Sequence, residues 1–180
     1  MKTQFPQYRA FAFISESTQL SWLWLIIRLY VGWLWLEAGW VKFGDAAWTG
    51  EKAGTAVSGF LQHALTLTTG DHPAVLGWYG SFIQNVALPN AELFSYLVTY
   101  GEIAVGVALI LGVAVGKAAF WGGAMNLAYM LAGSAGLNPL MFVLQAFLIV
   151  AWRTAGWFGL DRWAIPWVIK TFPSLQKIFM

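Results

Sequence analysis

Residues 20–43 read LSWLWLIIRLYVGWLWLEAGWVKF. As a helix this stretch is about 36 Å long, at about 1.5 Å per residue. A membrane's hydrocarbon core is about 30 Å thick and asks for roughly 20 mainly apolar residues. The stretch therefore reads as a transmembrane helix. It is too long for a cleaved signal peptide, Arg28 and Glu37 interrupt it, and no small-residue cleavage site follows it, so it reads as a retained span. The whole chain agrees: 59% of its 180 residues are hydrophobic and only 10% carry charge, against about 25% in soluble domains. The 17% aromatic content, with 12 Trp, argues against disorder.

Working outward, three more segments approach spanning length: about 91–115, 117–135 and 139–157. Asn90 is placed to cap the second, with Glu92 in its positive first turn, and Asn138 to cap the fourth, with Pro139 at its first position. Gly116 reads as the break between the second and third. The chain is thus expected to be all-α, an integral membrane four-helix transmembrane bundle in a single domain, 1–180. The long loop at 44–90 carries two helical stripes: Ala53, Ala56, Val57, Phe60, Leu61, Ala64, Leu65, and then Val75, Trp78, Tyr79, Phe82, Ile83, Val86 after Pro73. Both read as amphipathic helices lying over the bundle, either shielding helix ends or covering a substrate site. The tail at 158–180 reads as an interfacial anchor of aromatics and cations, with Trp163, Pro166, Trp167, Lys170, Phe172, Pro173 and Lys177.

Lys and Arg in the flanks set the orientation. Lys2, Arg9, Lys117, Arg153, Arg162, Lys170 and Lys177 mark one side. The long loop sets Lys42 and Lys52 against Asp45, Glu51 and Asp71. The expectation is a multi-pass cell-membrane protein with both termini cytoplasmic and the loop between spans one and two extracytoplasmic. The net charge of +2 does not suit a nucleic-acid partner. With no cysteine, disulfides, thiolate nucleophiles, iron–sulfur clusters and Cys-ligated zinc are excluded. His63 and His72 lie in the loop without further ligands at close spacing, so no metal site is expected. No phosphate-binding loop, dinucleotide fingerprint or haem-attachment motif occurs.

Three ionisable residues lie inside spans: Arg28, Glu37 and Glu102. A charge at mid-membrane costs at least about 2.5–3.5 kcal/mol on insertion scales and so faces an interior or a wet cavity. Glu37 is roughly 9 Å from the outer end of its span, Arg28 roughly 12 Å from the inner end, and Glu102 roughly 15 Å deep. Arg28 and Glu37 fall on opposite faces of one helix, which makes Arg28 with Glu102 the expected ion pair. Lys42 is expected to snorkel to the outer interface. Asn126, Gln145, Trp33, Trp40, Tyr100 and Tyr129 are expected to complete a polar, aromatic-lined layer inside the bundle, serving either as a hydrogen-bond network between helices or as a binding site. Gly32 with Gly39, and Gly112 with Gly116, make small-residue stripes for close packing.

The run RLYVGWLWLEAGWVKF at 28–43 resembles the first-span signature of the DoxX/DoxD membrane proteins. PNAELFSYLVTYGEIAVGVALILG at 89–112 is similar to their second span, with its Gly101-Glu102 pair. NLAYMLAGSAGLNP at 126–139 and AWRTAGWFGLDRW at 151–163 resemble the end of their third span and their C-terminal segment. The resemblance implies a small four-helix membrane protein linked to quinone-dependent oxidation of sulfur compounds. Its DoxD branch is the integral subunit of thiosulfate:quinone oxidoreductase, accompanied by a small DoxA subunit.

On that resemblance the expected function is a membrane oxidoreductase subunit that couples oxidation of a small, thiosulfate-like anion to quinone reduction. Arg28 is then the anion-binding cation, with Lys42 steering at the entrance. Glu102 and Glu37 relay the protons that quinone takes up. Trp33, Trp40 and Tyr100 stack on the quinone ring, near Asn126 and Gln145. Quinone enters as a substrate, and the expected partners are membrane lipid, quinone and a DoxA-like or other redox subunit, with homo-oligomerisation left open. Two readings from other classes stand beside this one: a non-catalytic scaffold of a redox complex, and a small transporter using a membrane Glu flanked by Trp.

Overall fold

The computed structural model describes residues 9–172, which are helical and contain no strand. The N-terminal Lys2 and the tail's Pro173 and Lys177 lie outside these residues. Helix α1 spans Arg9–Glu16 and leads through a 3-10 turn at Thr18–Leu20 into α2, Ser21–Phe43. Three short helices follow: α3 at Ala46–Thr49, α4 at Thr55–Thr66 and α5 at Gly77–Phe82, the last continued by a π-turn at Ile83–Ala87. Then come α6 at Ala91–Leu111, α7 at Val115–Leu131, α8 at Asn138–Val150, α9 at Trp152–Ala155 and α10 at Asp161–Thr171.

Two of these helices are long and apolar enough to cross a membrane, Thr18–Phe43 and Ala91–Leu111, while α8 is a shorter apolar helix. α2 packs along α6, α6 against α7, α7 against α8, and α8 returns to α2. The core between them holds Trp24, Val31, Trp35, Val105, Leu109, Ala119 and Leu148. A second core lies at one end, where α4, α5 and the π-turn bury Val57, Leu61, Ala64, Tyr79 and Ile83 against Ala91 and Ala132. We call this the cap end. The opposite end, where α9 and α10 meet the start of α7, is the tail end.

Residues 44–90 hold helices at both stripes; α4 takes up the first from Ala56 to Leu65 and leaves Ala53 ahead of it. The second begins at Gly77 rather than Pro73 and changes pitch at Ile83. Of the two expected glycine stripes, Gly32 with Gly39 forms a helix seam, whereas Gly112 and Gly116 do not share one: Gly112 turns left-handed against Arg28 and Gly116 packs on Trp152. A Cβ on Gly32 would stand 3.1 Å from the Gly106 carbonyl oxygen, one on Gly39 2.8 Å from the Ile103 nitrogen, and one on Gly106 2.6 Å from the Leu36 nitrogen. Backbone meets backbone here, which lets van der Waals contact bind two helices that have no hydrophobic incentive in lipid. Gly106→Val is therefore expected to push α2 from α6 and cost about 2–3 kcal/mol, as overpacking does. Thermal unfolding in detergent checks this, and an unchanged melting temperature would refute the seam.

Several boundaries differ from expectation. α6 ends at Leu111, because Gly112 and Ala114 both take left-handed backbone, at φ 69° and 49°, and Gly112 accepts that turn without a Cβ penalty. Gly116 is not the break. It lies inside α7, with Trp152 set against it. The fourth apolar stretch is not one helix to residue 157, since α8 stops at Val150 and α9 restarts after Ala151. Neither asparagine caps through an accepting oxygen: Asn90 Nδ2 donates to the Val86 carbonyl at 2.8 Å, and Asn138 Nδ2 to the Ser134 carbonyl at 3.0 Å. In both cases the side chain closes the turn before the helix rather than the helix's first amides.

Candidate functional site

The best-formed polar cluster is one the sequence did not pair correctly. Glu102 of α6 is 1% exposed and its carboxylate is held from two sides. Lys42 Nζ of α2 donates to Oε2 at 2.8 Å, and the Tyr129 hydroxyl of α7 donates to Oε1 at 2.8 Å. Lys42 reaches Glu102 because it sits in the last turn of α2, where the cap end folds back over it. Its Nζ also lies 3.4 Å from the Ala38 carbonyl oxygen and 5.0 Å from the centre of the Trp48 ring in α3. Trp48 is fixed in turn, since Ser95 Oγ of α6 donates to its carbonyl at 2.6 Å. The Tyr129 ring stands between Trp35 and Phe60, at 6.4 and 6.5 Å between centroids. A cation, a carboxylate and a phenol thus share a dry site, with the lysine side chain 20% exposed and the glutamate 2%. A buried charge persists in such a place only when paired and hydrogen-bonded.

Arg28 does not pair with Glu102. Its Nη2 donates to the Phe158 carbonyl at 2.9 Å, and its guanidinium lies against Gly112 and Gly159 within the field of the Asp161 carboxylate. Gly112 is ten residues beyond Glu102, so the two charges are separated by about 15 Å of helix rise. Asp161 works on the same junction: its carboxylate accepts the Ala114 amide at 2.7 Å and the Val115 amide at 3.0 Å, capping α7. The Leu160 and Asp161 amides donate to the Leu111 and Gly112 carbonyls at 3.1 and 2.8 Å. The segment before α10 therefore satisfies the free ends of two helices, and Arg28 locks it there. At Phe158–Asp161 the tail is a structural closure of the bundle.

The remaining expected residues separate into two groups. Asn126 and Gln145 are buried and joined, Asn126 Nδ2 donating to Gln145 Oε1 at 2.6 Å. Gln145 Nε2 and Trp35 Nε1, which make no hydrogen bond within the protein, both crowd the place a Cβ on Gly122 would take. The missing side chain lets the four-helix core close around this polar layer. Trp33, Trp40, Tyr100 and Glu37 do not line the interior. They are exposed on the outer surface of α2 and α6, because Glu37 falls on the α2 face opposite the Gly32–Gly39 seam. There Trp40, Phe43, Tyr100 and Tyr96 form a chain of rings at 5.9, 6.1 and 6.2 Å between centroids.

In the cap, the Tyr79 hydroxyl donates to the Ala128 carbonyl at 2.9 Å, and burial pushes its phenol above the ordinary value, so it stays a neutral donor. Among the described residues no group of three or more His, Asp or Glu is placed to hold a metal ion. Tyr129 belongs to the interior layer as expected, but its bond to Glu102, the role of Asp161 and the Lys42 pairing are not read from the sequence. No pattern within one helix pairs Lys42 with Glu102, because the pairing follows from the packing of Gly39 against Ile103 and Glu102.

Comparison with curated proteins and with solved structures gave no match. Residues 23–135 match the DoxX family, a stretch that takes in Arg28, Lys42, Glu102, Asn126 and Tyr129 and leaves Gln145 and Asp161 beyond it. Because that match covers more than half of the chain, and two of its helices are long and apolar enough to cross a bilayer, this is a membrane protein of the DoxX family.

Proposed function

We propose that this protein is a multi-pass cell-membrane subunit that couples oxidation of a small reduced sulfur anion of the thiosulfate type to reduction of quinone. In this reading α2, α6, α7 and α8 all cross the bilayer. Lys117, Arg153, Arg162 and Lys170 lie at the tail end, which puts that end and both termini in the cytoplasm by the positive-inside rule. The cap end then faces outward. The observation that carries the proposal is the buried contact of Lys42, Glu102 and Tyr129 just beneath that cap. It supplies a cation for an oxyanion and two oxygens that hold or pass a proton.

Quinone approaches from the lipid, where the ring chain Trp40–Phe43–Tyr100–Tyr96 offers stacking surface beside Lys42. Trp33 and Glu37 continue that face, and Glu37 is the carboxylate in reach of a ring docked from the bilayer. Two thiosulfates each lose one electron and join through a new S–S bond, while the quinone gains two electrons and two protons. Arg28, held at the tail end, serves closure rather than anion capture. A DoxA-like or other redox subunit completes the assembly on the outer side.

A specific observation favours a second reading. Both oxygens of Glu102 are already satisfied, and Lys42 lies over Trp48, so the cluster also ties α2, α6, α7 and the cap together. That suits a non-catalytic partner within a redox complex. The purified protein in detergent, given a soluble quinone analogue and thiosulfate, separates the two. Thiosulfate-dependent quinone loss, reduced at least about tenfold by Tyr129→Phe or Glu37→Gln with melting unchanged, supports the redox reading; single proton-transfer groups contribute about a hundredfold or more. No turnover with thiosulfate or sulfide, together with a lowered melting temperature in Tyr129→Phe, supports the scaffold. Cation uptake into proteoliposomes would replace both with transport.

A further inference from the structure

A cavity of about 710 Å³ opens at the tail end between the first turns of α7, the last of α8 and helix α10. Its walls are mainly apolar, with Trp121 on α7, Ile149 on α8, Trp152 on α9, and Ile165 and Val168 on α10. The size is that of a small-molecule or lipid site. α10 lies along it as a clamp. Ala164, Ile165 and Val168 turn toward the cavity and are half-buried, while Trp163 and Trp167 are 66% and 63% exposed on the other face. A short helix with tryptophan outward and aliphatic residues inward is suited to the headgroup boundary of a bilayer.

Charge decides what the cavity receives. Lys117 is in its wall and exposed. Arg162 and Lys170 are exposed on α10, and Arg162 is stacked 5.0 Å from the Trp157 ring centre. The one acid in the wall, Asp161, is 7% exposed and already spends its carboxylate on the Ala114 and Val115 amides. Lys117 is therefore the cation in the wall of an apolar slot, with Arg162 and Lys170 exposed on the clamp helix outside the lining. Such a basic pocket between membrane helices on the cytoplasmic side complements an anionic headgroup with its acyl chain below. We propose that this cavity is a binding site for an anionic phospholipid, with the acyl chain between α7, α8 and α10 and the phosphate at Lys117. The site rests on the placement of α10 at the cytoplasmic interface and not on the redox chemistry, so either can fail alone.

Native mass spectrometry and melting in detergent test it, with the full chain titrated by phosphatidylglycerol and, separately, by phosphatidylcholine of the same chains. Phosphatidylglycerol is expected to bind at least about tenfold more tightly and to raise the melting temperature. Lys117→Gln, a change at an exposed position, is expected to remove about fivefold of that preference, as one cation near an anionic headgroup does. Ile165→Trp, which fills the slot, is expected to abolish binding of both lipids. Equal affinity for the two lipids would overturn the proposal. So would an unchanged preference in Lys117→Gln, whether or not Ile165→Trp folds. Displacement of phosphatidylglycerol by a quinone analogue at lower concentration would reassign the cavity to quinone.

Discussion

Glu102→Ala is expected to lower stability by about 3–5 kcal/mol, the usual result of stripping one partner from a buried ion pair. The carboxylate is 2% exposed and its lysine partner 20%, so the stranded ammonium has little water to turn to. Tyr129 also loses the acceptor for its hydroxyl, which adds a buried donor without a partner. Lys42→Met is expected to be comparably damaging, because it leaves the carboxylate alone in the same place. The double variant Lys42→Met/Glu102→Leu behaves differently. Replacing both charges with apolar groups of similar volume is often neutral in a low-dielectric site, so its melting temperature is expected within a few degrees of the parent. Thiosulfate-dependent quinone reduction, in contrast, is expected to vanish in both single variants and in the double variant. Thermal unfolding beside turnover reads both. A double variant that regains stability and keeps full turnover would remove the cluster from the chemistry. One that stays as unstable as the singles would show that the pair is not the energetic unit the geometry describes.

The second large effect is expected at the tail end. Gly112 combines a left-handed backbone, φ 69°, with the Arg28 guanidinium occupying the space of a Cβ. Gly112→Ala pays about 1–2 kcal/mol for the backbone. It also drives Arg28 off the Phe158 carbonyl, at about 1–3 kcal/mol for a buried polar group left unpaired. About 3 kcal/mol in total is expected, seen as a melting point lowered by several degrees. Gly59→Ala is the control, because a Cβ there meets nothing within 4 Å and the position is inside α4. It is expected to gain a few tenths to about 1 kcal/mol from helix propensity. Equal melting of the two glycine variants would refute the Arg28 closure.

Much of this architecture follows from periodicity and composition. The long apolar runs, the stripe from Val57 to Ala64 and the glycines at 32 and 39 each depend on contacts a few residues apart or on one helix face, and such local order is written along the chain. The cost of a polar group in an apolar helix also places Glu102 and Asn126 inside, while the same reasoning fails at Glu37, which is exposed. The partner of Glu102 is a different kind of fact. It depends on the relative height and rotation of α2 and α6, which the close approach of Gly39 to Ile103 and Glu102 settles and no single helix's pattern contains. Counting depth from the end of an isolated span treated Lys42 as a surface residue. The cap extends the dry environment beyond Phe43, so Lys42 is covered and turns inward.

Arg28 was misassigned for a related reason. The carbonyl that holds it belongs to Phe158, 130 residues away, on a segment that returns to the end of α6 only after three further helices have formed. Glu37, Trp33, Trp40 and Tyr100 likewise face outward because the glycine seam claims the opposite side of α2. Sequence therefore established the two long apolar helices and the interior place of Arg28 and Glu102. Tertiary structure decided which charges meet, since an ion pair is made by the offset between helices, and that offset is a property of the packed bundle and not of any of its parts.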